Sequence, residues 1–256
     1  MIVHEPIKTL FQIGPISIYS WGIMFVIGFL VALFLILREA KKQNINKKHI
    51  YMIAILALFG AIIGPRLFFI IEHLNYYLIN PIEVLQIWKG GETSYGAFLG
   101  ILFIWFYIRK QKDITFLQIL DLIAPYIFLA IAITRIGCFL NWCCYGIQSG
   151  LPWTIQIPGD IPRHPTQLYE SLYCLLGFFK LQLFKKLRNR KNWKFKSLFE
   201  KQGALFFSFL MFYSFFRFFN DFLRSYMHYF LCLALSQWIA IILFLFGFIM
   251  LFRNNK

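Results

Sequence analysis

Charge is scarce in this chain, and acidic charge scarcest of all. Only 14% of the 256 residues are Asp, Glu, Lys or Arg, and 26 basic residues stand against 11 acidic ones. Long polar linkers and internal repeats are lacking too, so residues 1–256 read as one domain. No His–Cys spacing converges in the manner of a metal site, with only His164 near the cysteines. Neither a metal nor another cofactor is therefore expected. The basic n-region and short apolar core of a cleavable signal peptide are also missing, so the first apolar run is expected to act as an anchor.

What is present is apolar: 59% of the residues are hydrophobic and 20% are aromatic. That exceeds an ordinary soluble domain of this length. Runs near the roughly 20 residues that cross a bilayer core lie at 19–37, 50–71, 95–108, 116–140, 168–184, 205–223 and 235–252. The third is short and is expected to begin near Gly90 and Gly91. The expected fold is an all-α polytopic membrane protein with about seven transmembrane helices and outer segments near 72–90 and 142–167. Gly90, Gly91 and Pro65 are expected to bend or break helices lining a central cavity, because irregular backbone at depth must face protein or water.

The net charge of +15 raises nucleic-acid binding, but its placement argues for a membrane. Eighteen of the 26 lysines and arginines fall in 38–48, 109–112 and 185–201 and at Arg253 and Lys256. With seven spans all of these lie on one side, as the positive-inside rule requires of cytoplasmic segments. The N-terminus is then outside and the C-terminus cytoplasmic. The basic runs report topology and attraction to anionic lipid, and no nucleic-acid partner is expected.

Topology leaves eight basic residues unexplained: Lys8, Arg66, Lys89, Arg135, Arg163, Lys180, Arg217 and Arg224. Arg66, Arg135 and Arg217 fall inside apolar runs, where an arginine costs about 2.5 kcal/mol or more and normally faces a partner or a wet cavity. Glu72, Asp121, Glu170 and Asp221 are the acidic residues expected in the same layer. Tyr213, Arg217, Asp221 and Arg224 share one helical stripe. A structural Arg217–Asp221 pair is one reading of that stripe. The other is a guanidinium fork presented to a phosphate, which suits arginine better than lysine, and a phospholipid headgroup is the natural anion.

Cys138, Cys143 and Cys144 crowd the outer end of the fourth run, while Cys174 and Cys232 stand alone and read as packing residues. Three readings of the crowd stay open: small buried side chains with one structural disulfide on an oxidising side, a metal site, or a thiol that receives a lipid transiently.

Several stretches, in order, carry a resemblance: IGPISIYSWGIM (13–24), GPRLFF (64–69), WKGGETSYGAFLG (88–100), DLIAP (121–125), RIGCFLN (135–141), RHPTQLYES (163–171) and YSFFRFFNDFLR (213–224). Together they resemble the bacterial prolipoprotein diacylglyceryl transferase family. The resemblance implies a multi-pass enzyme of the bacterial inner membrane with its active site toward the periplasmic side. The implied partners are phosphatidylglycerol, the signal peptide of a prolipoprotein with its lipobox cysteine, and the bilayer. The implied reaction moves a diacylglyceryl group to the lipobox thiol and releases glycerol phosphate.

On this reading Arg135 and Arg217 match the family's arginines and would stabilise the departing phosphate. Tyr95 and Glu170 join them as catalytic candidates. Asn141, Gly146, Tyr213, Arg66, His164, Cys138 and Cys143 are the further substrate-binding candidates. The chain also departs from the family pattern. Tyr95 stands where the family usually has histidine, Cys138 where it has asparagine, Cys143 where it has glutamate, and Tyr19 where histidine is common. The phosphate clamp is kept while the groups around the thiol chemistry change, so Glu170 and His164 become candidates for the base and a paralogue with another acceptor stays open. A membrane thiol-disulfide oxidoreductase would explain the cysteines without the buried arginines. A transporter of an anionic solute would explain the arginines without the ordered motifs.

Overall fold

The computed structural model describes residues 2–13, 16–81, 83, 97–188, 196–225 and 229–253. In chain order these form β1 (Ile2–Val3), β2 (Thr9–Ile13), β3 (Ile16–Tyr19), α1 (Ser20–Lys42), α2 (Lys47–Glu72), α3 (Leu74–Ile79), α4 (Ala97–Arg109) and α5 (Phe116–Leu140). There follow β4 (Ile155–Gln156), α6 (Thr166–Arg188), α7 (Lys196–Phe199), α8 (Ala204–Phe222), β5 (Tyr229–Phe230), β6 (Leu233–Ala234) and α9 (Leu235–Phe252). The chain is a helical membrane protein, with α1, α2, α5 and α9 long and apolar enough to cross a membrane.

The expectation of a purely helical chain needs one correction. Among the described residues three two-stranded sheets occur where the chain leaves its helices: β1 beside β4, the β2–β3 hairpin and the β5–β6 hairpin. Backbone outside a helix must find hydrogen bonds elsewhere, and short ladders supply them.

The chain forms two compact units, Ile36–Ile119 and the remainder. In the smaller unit α2 packs on α4, where Gly60 meets Gly100 and lets the two backbones approach closely. Asn46 opens α2, its side-chain oxygen accepting the Lys48 N–H at 2.9 Å. α2 then continues as one helix through Pro65, so of the expected bend or break no break occurs there, while Gly90 and Gly91 lie outside the described residues. The Arg66 guanidinium donates to the Glu83 carbonyl at 2.6 Å and lies 5.4 Å from the Tyr77 ring centroid. His49, unremarked in the sequence, lies 2.9 Å from both the Asp113 carboxylate and the Tyr107 hydroxyl. The imidazole thereby ties the start of α2 to the end of α4.

In the larger unit α8 packs against both α6 and α9. Phe128 of α5 is fully buried against Phe209 of α8, with ring centroids 4.6 Å apart. Asp121 departs from its expected role as an arginine partner in the outer layer. Its carboxylate accepts the Gly203 N–H at 2.7 Å and the Phe206 N–H at 2.9 Å, capping α8 from a neighbouring helix. Helix N-termini leave N–H groups without intrahelical partners, and Gly203, at φ 89°, has no side chain to satisfy them.

Candidate functional site

The site is built where α5 ends, α6 begins and the last turns of α8 pass. α5 stops in a Schellman turn: the Cys143 N–H bonds the Cys138 carbonyl and the Trp142 N–H bonds the Phe139 carbonyl, each at 3.0 Å. Trp142 takes the left-handed position, at φ 53°, that glycine usually fills, and Cys144 is left-handed as well at φ 61°. The turn folds Cys143 back over Cys138, its thiol donating to the Cys138 carbonyl at 3.6 Å.

Pro165 precedes α6 and its carbonyl accepts the Leu168 and Tyr169 N–H groups. The first turn of α6 then fastens to the end of the Schellman turn. Thr166 Oγ1 donates to the Cys144 carbonyl at 2.8 Å and Gln167 Nε2 to the Cys143 carbonyl at 2.7 Å. Ser171 Oγ reaches the Ala132 carbonyl of α5 at 2.9 Å. Gly146 lies at the crossing of three segments. A Cβ there would stand 2.6 Å from both His164 Cβ and the Leu223 carbonyl. Its own N–H donates to the His164 carbonyl at 2.9 Å, so nothing larger than hydrogen fits.

On this frame Glu170, 1% exposed, is the centre. Its Oε2 lies 2.8 Å from Arg217 Nη1 and 3.0 Å from Arg135 Nε. Its Oε1 accepts the Tyr213 hydroxyl at 3.0 Å. Arg217 Nε turns to Asp221, 3.0 Å from Oδ1, and Arg224 closes the chain at 3.7 Å from the same oxygen. Buried carboxylates persist when paired and hydrogen-bonded, and here two carboxylates hold three guanidiniums. The helical stripe 213, 217, 221, 224 thus faces one network, and the Arg217–Asp221 pair coexists with a second contact of the same guanidinium.

Arg135 Nη1 also donates to Cys138 Sγ at 3.7 Å, which brings the thiols beside the cations. The five cysteines are free, so the disulfide that one of the three readings called for is absent. Hydrogen bonds from Cys138 and Cys143, and then the fields of Arg224 and Arg135, hold the Cys144 thiol below its usual range. Hydrogen bonding to Cys138 and Cys144 pushes the Cys143 thiol up. No cluster suited to a metal ion occurs among the described residues.

His164 lies in the segment before α6, its Nδ1 3.1 Å from the Tyr169 hydroxyl, which accepts the Trp153 indole N–H at 2.8 Å. Burial lowers the His164 pKa and keeps it neutral. The Asn141 side-chain oxygen is buried without a hydrogen-bond partner among the described residues.

Of the residues singled out in the sequence, Arg135, Glu170, Tyr213, Arg217 and Cys138 meet in one network. Cys143, Asn141, Gly146 and His164 build the frame around it, and Arg66 meets Glu83 and Tyr77 within the smaller unit. Tyr95 lies outside the described residues. Sequence reasoning weighed Asp221 only as a partner for Arg217 and left Arg224 without a role. Their place on the stripe at i+4 and i+7 from Arg217 was the signal available.

A helical membrane protein with guanidiniums held on buried carboxylates inside its helices is the class that fold and site define. Within that class, residues 8–253 match the family described as prolipoprotein diacylglyceryl transferase. The chain belongs to that family. It is 36% identical over 255 residues to the phosphatidylglycerol–prolipoprotein diacylglyceryl transferase of Streptococcus mutans, covering 96% of this chain and 94% of that one. The enzyme of the same name from Clostridium tetani is 34% identical over 224 residues, 85% of each chain. The one from Finegoldia magna is 33% identical over 249 residues, 97% and 96% of the two.

Proposed function

We propose that this chain is a transferase of lipoprotein biosynthesis that moves the diacylglyceryl group of phosphatidylglycerol to the lipobox cysteine thiol of a prolipoprotein. The observation that carries the reading is the Arg135–Glu170–Arg217 network, set in a chain that belongs to the family over residues 8–253. In the reaction the thiol sulfur forms a bond to the glycerol carbon that bears the phosphate. The bond from that carbon to the phosphate oxygen breaks, glycerol phosphate departs, and the thiol proton passes to a base.

Arg135 and Arg217 bind the phosphate and meet its growing charge, the interaction that strengthens in the transition state. Glu170 has both oxygens engaged, which suits it to holding the two guanidiniums in register rather than accepting the proton. Tyr213 fixes Glu170 from its other side. The unpartnered Asn141 oxygen is free to accept a hydroxyl of the glycerol headgroup. His164, kept neutral by burial, is our candidate for the base, with Tyr95 as the alternative. Gly146, Cys138 and Cys143 complete the proposed substrate site, the cysteines as small polar walls beside Arg135.

The proposed setting is the bacterial inner membrane, with seven spans, the basic segments cytoplasmic, one functional domain over 1–256, and the site opening toward the periplasm and sideways to lipid. A complementation test checks the activity. A strain depleted of its own transferase is supplied with this chain, and a model lipobox peptide is weighed by mass spectrometry. Gain of the diacylglyceryl mass is expected. An unmodified peptide, with the purified chain still binding phosphatidylglycerol, would favour a paralogue with another acceptor.

A further inference from the structure

Lys180 stands apart from the arginine network, about 15 Å from Glu170 along α6 at 1.5 Å per residue. Its ammonium lies 4.7 Å from the Phe212 ring centroid and 5.6 Å from that of Phe184, one turn closer to the basic end of α6. Lys185, Lys186 and Arg188 make the end of α6 basic, one to two turns further along the helix. No carboxylate pairs with Lys180 among the described residues. Beside it opens a cavity of about 630 Å³, walled by Phe128 of α5, Phe184 of α6, Phe199 of α7, Phe212 and Phe216 of α8 and Phe252 of α9. Among the described residues Lys180 is the one charged residue in its lining.

Two requirements meet here. An ammonium set among aromatic rings is costly unless it reaches an anion or the interface. An aromatic cavity of this volume, within the roughly 300–1,000 Å³ of small-ligand sites, suits a hydrocarbon chain. The basic run from Lys185 onward concentrates anionic lipid at the same end of the helices.

We infer that this cavity is a second lipid site, separate from the arginine network, that takes one acyl chain of an anionic phospholipid and holds its phosphate between Lys180 and the basic end of α6. The site does not depend on the transfer reaction. A lysine that merely reached for water would leave the cavity indifferent to lipid charge.

The test uses the full chain in phosphatidylcholine nanodiscs. These carry a trace of phosphatidic acid with a photoreactive diazirine in its acyl chain, or a phosphatidylcholine probe with the same chain. After irradiation the crosslinks are mapped by mass spectrometry. The anionic probe is expected to label the cavity wall around Met211 and Leu251. Labelling should fall about five-fold in Lys180→Leu, the effect of one cation near the membrane surface, and return in Lys180→Arg. Ser208→Phe, which narrows the cavity with Lys180 intact, should also reduce it, with folding of each variant checked by thermal unfolding. Equal labelling by the two probes would overturn the inference, as would unchanged labelling in Lys180→Leu or Ser208→Phe. Wall labelling lost in Arg217→Gln but kept in Lys180→Leu would assign the chain to lipid at the arginine network and overturn it as well.

Discussion

Glu170 could not stay ionised at 1% exposure without the two guanidiniums and the hydroxyl that surround it. The reverse also holds, since the arginines owe their fixed positions to the carboxylate between them. Arg217→Gln keeps a hydrogen-bonding amide, removes the charge and shortens the side chain by two atoms. Transfer to a lipobox peptide should then fall by about a hundredfold or more, the range for loss of one electrostatic contact to a developing anion. Membrane insertion, followed by fractionation, should be unchanged, and activity retained in that variant would remove the phosphate clamp. His164 offers a pH test. Burial lowers its pKa, so the neutral form persists to more acid pH than in an ordinary histidine, near 6.5. If His164 is the base, the acid limb of kcat/KM should lie below that value and vanish from the profile of His164→Gln. Stability carries the same sign: burying the neutral ring contributes fully above the unfolded histidine pKa, and the contribution is lost as pH falls toward the folded one. An acid limb that persists in His164→Gln would move the role to another group.

At the scale of elements, the stripe on α8 was legible because 3.6-residue periodicity places residues 213, 217, 221 and 224 on one face without knowledge of any neighbour. The partner across the gap was not equally legible. Asp121 and Glu170 both looked like carboxylates for buried arginines. Asp121, however, lies fourteen residues before Arg135 on the same helix, about 21 Å along its axis. That distance leaves Asp121 at the start of α8, where Gly203 and Phe206 present N–H groups that no local side chain can cap. Asp121→Ala should therefore cost about 1 to 2 kcal/mol, the range for loss of a helix cap, read as a lower unfolding temperature in detergent. The arginine network should stay assembled and per-molecule activity should be retained at low temperature. A collapse of activity without loss of stability would place Asp121 in the chemistry instead. The cysteine cluster was hardest to read from sequence, because its geometry comes from a Schellman turn with tryptophan in a position that normally announces itself as glycine.

At the scale of the whole molecule, apolar length identified the membrane helices, and α6 and α8 show where that signal weakens. α6 has 23 residues and α8 has 19, about 34 and 28 Å at 1.5 Å per residue, enough to cross a core of about 30 Å. Their polar faces, Glu170 with Ser171 on α6 and Arg217 with Asp221 on α8, dilute their hydropathy because they turn toward each other instead of toward lipid. Counting them as spans together with the shorter apolar α4 gives the seven-span arrangement, and that arrangement makes a firm prediction about sides. On a background with Cys143, Cys144 and Cys232 changed to serine, single cysteines are placed at Lys42, Lys112, Lys186 and Ser149. A membrane-impermeant maleimide added to intact cells should label Ser149→Cys and spare the other three until lysis. Had α6 failed to cross, Lys186→Cys would label together with Ser149→Cys. Had the chain inserted with the opposite orientation, the pattern would reverse. Protection of all three lysine positions with exposure of Ser149 requires that the basic segments share one side and that both α5 and α6 span the bilayer, so the arginine network near their junction opens away from the cytoplasm.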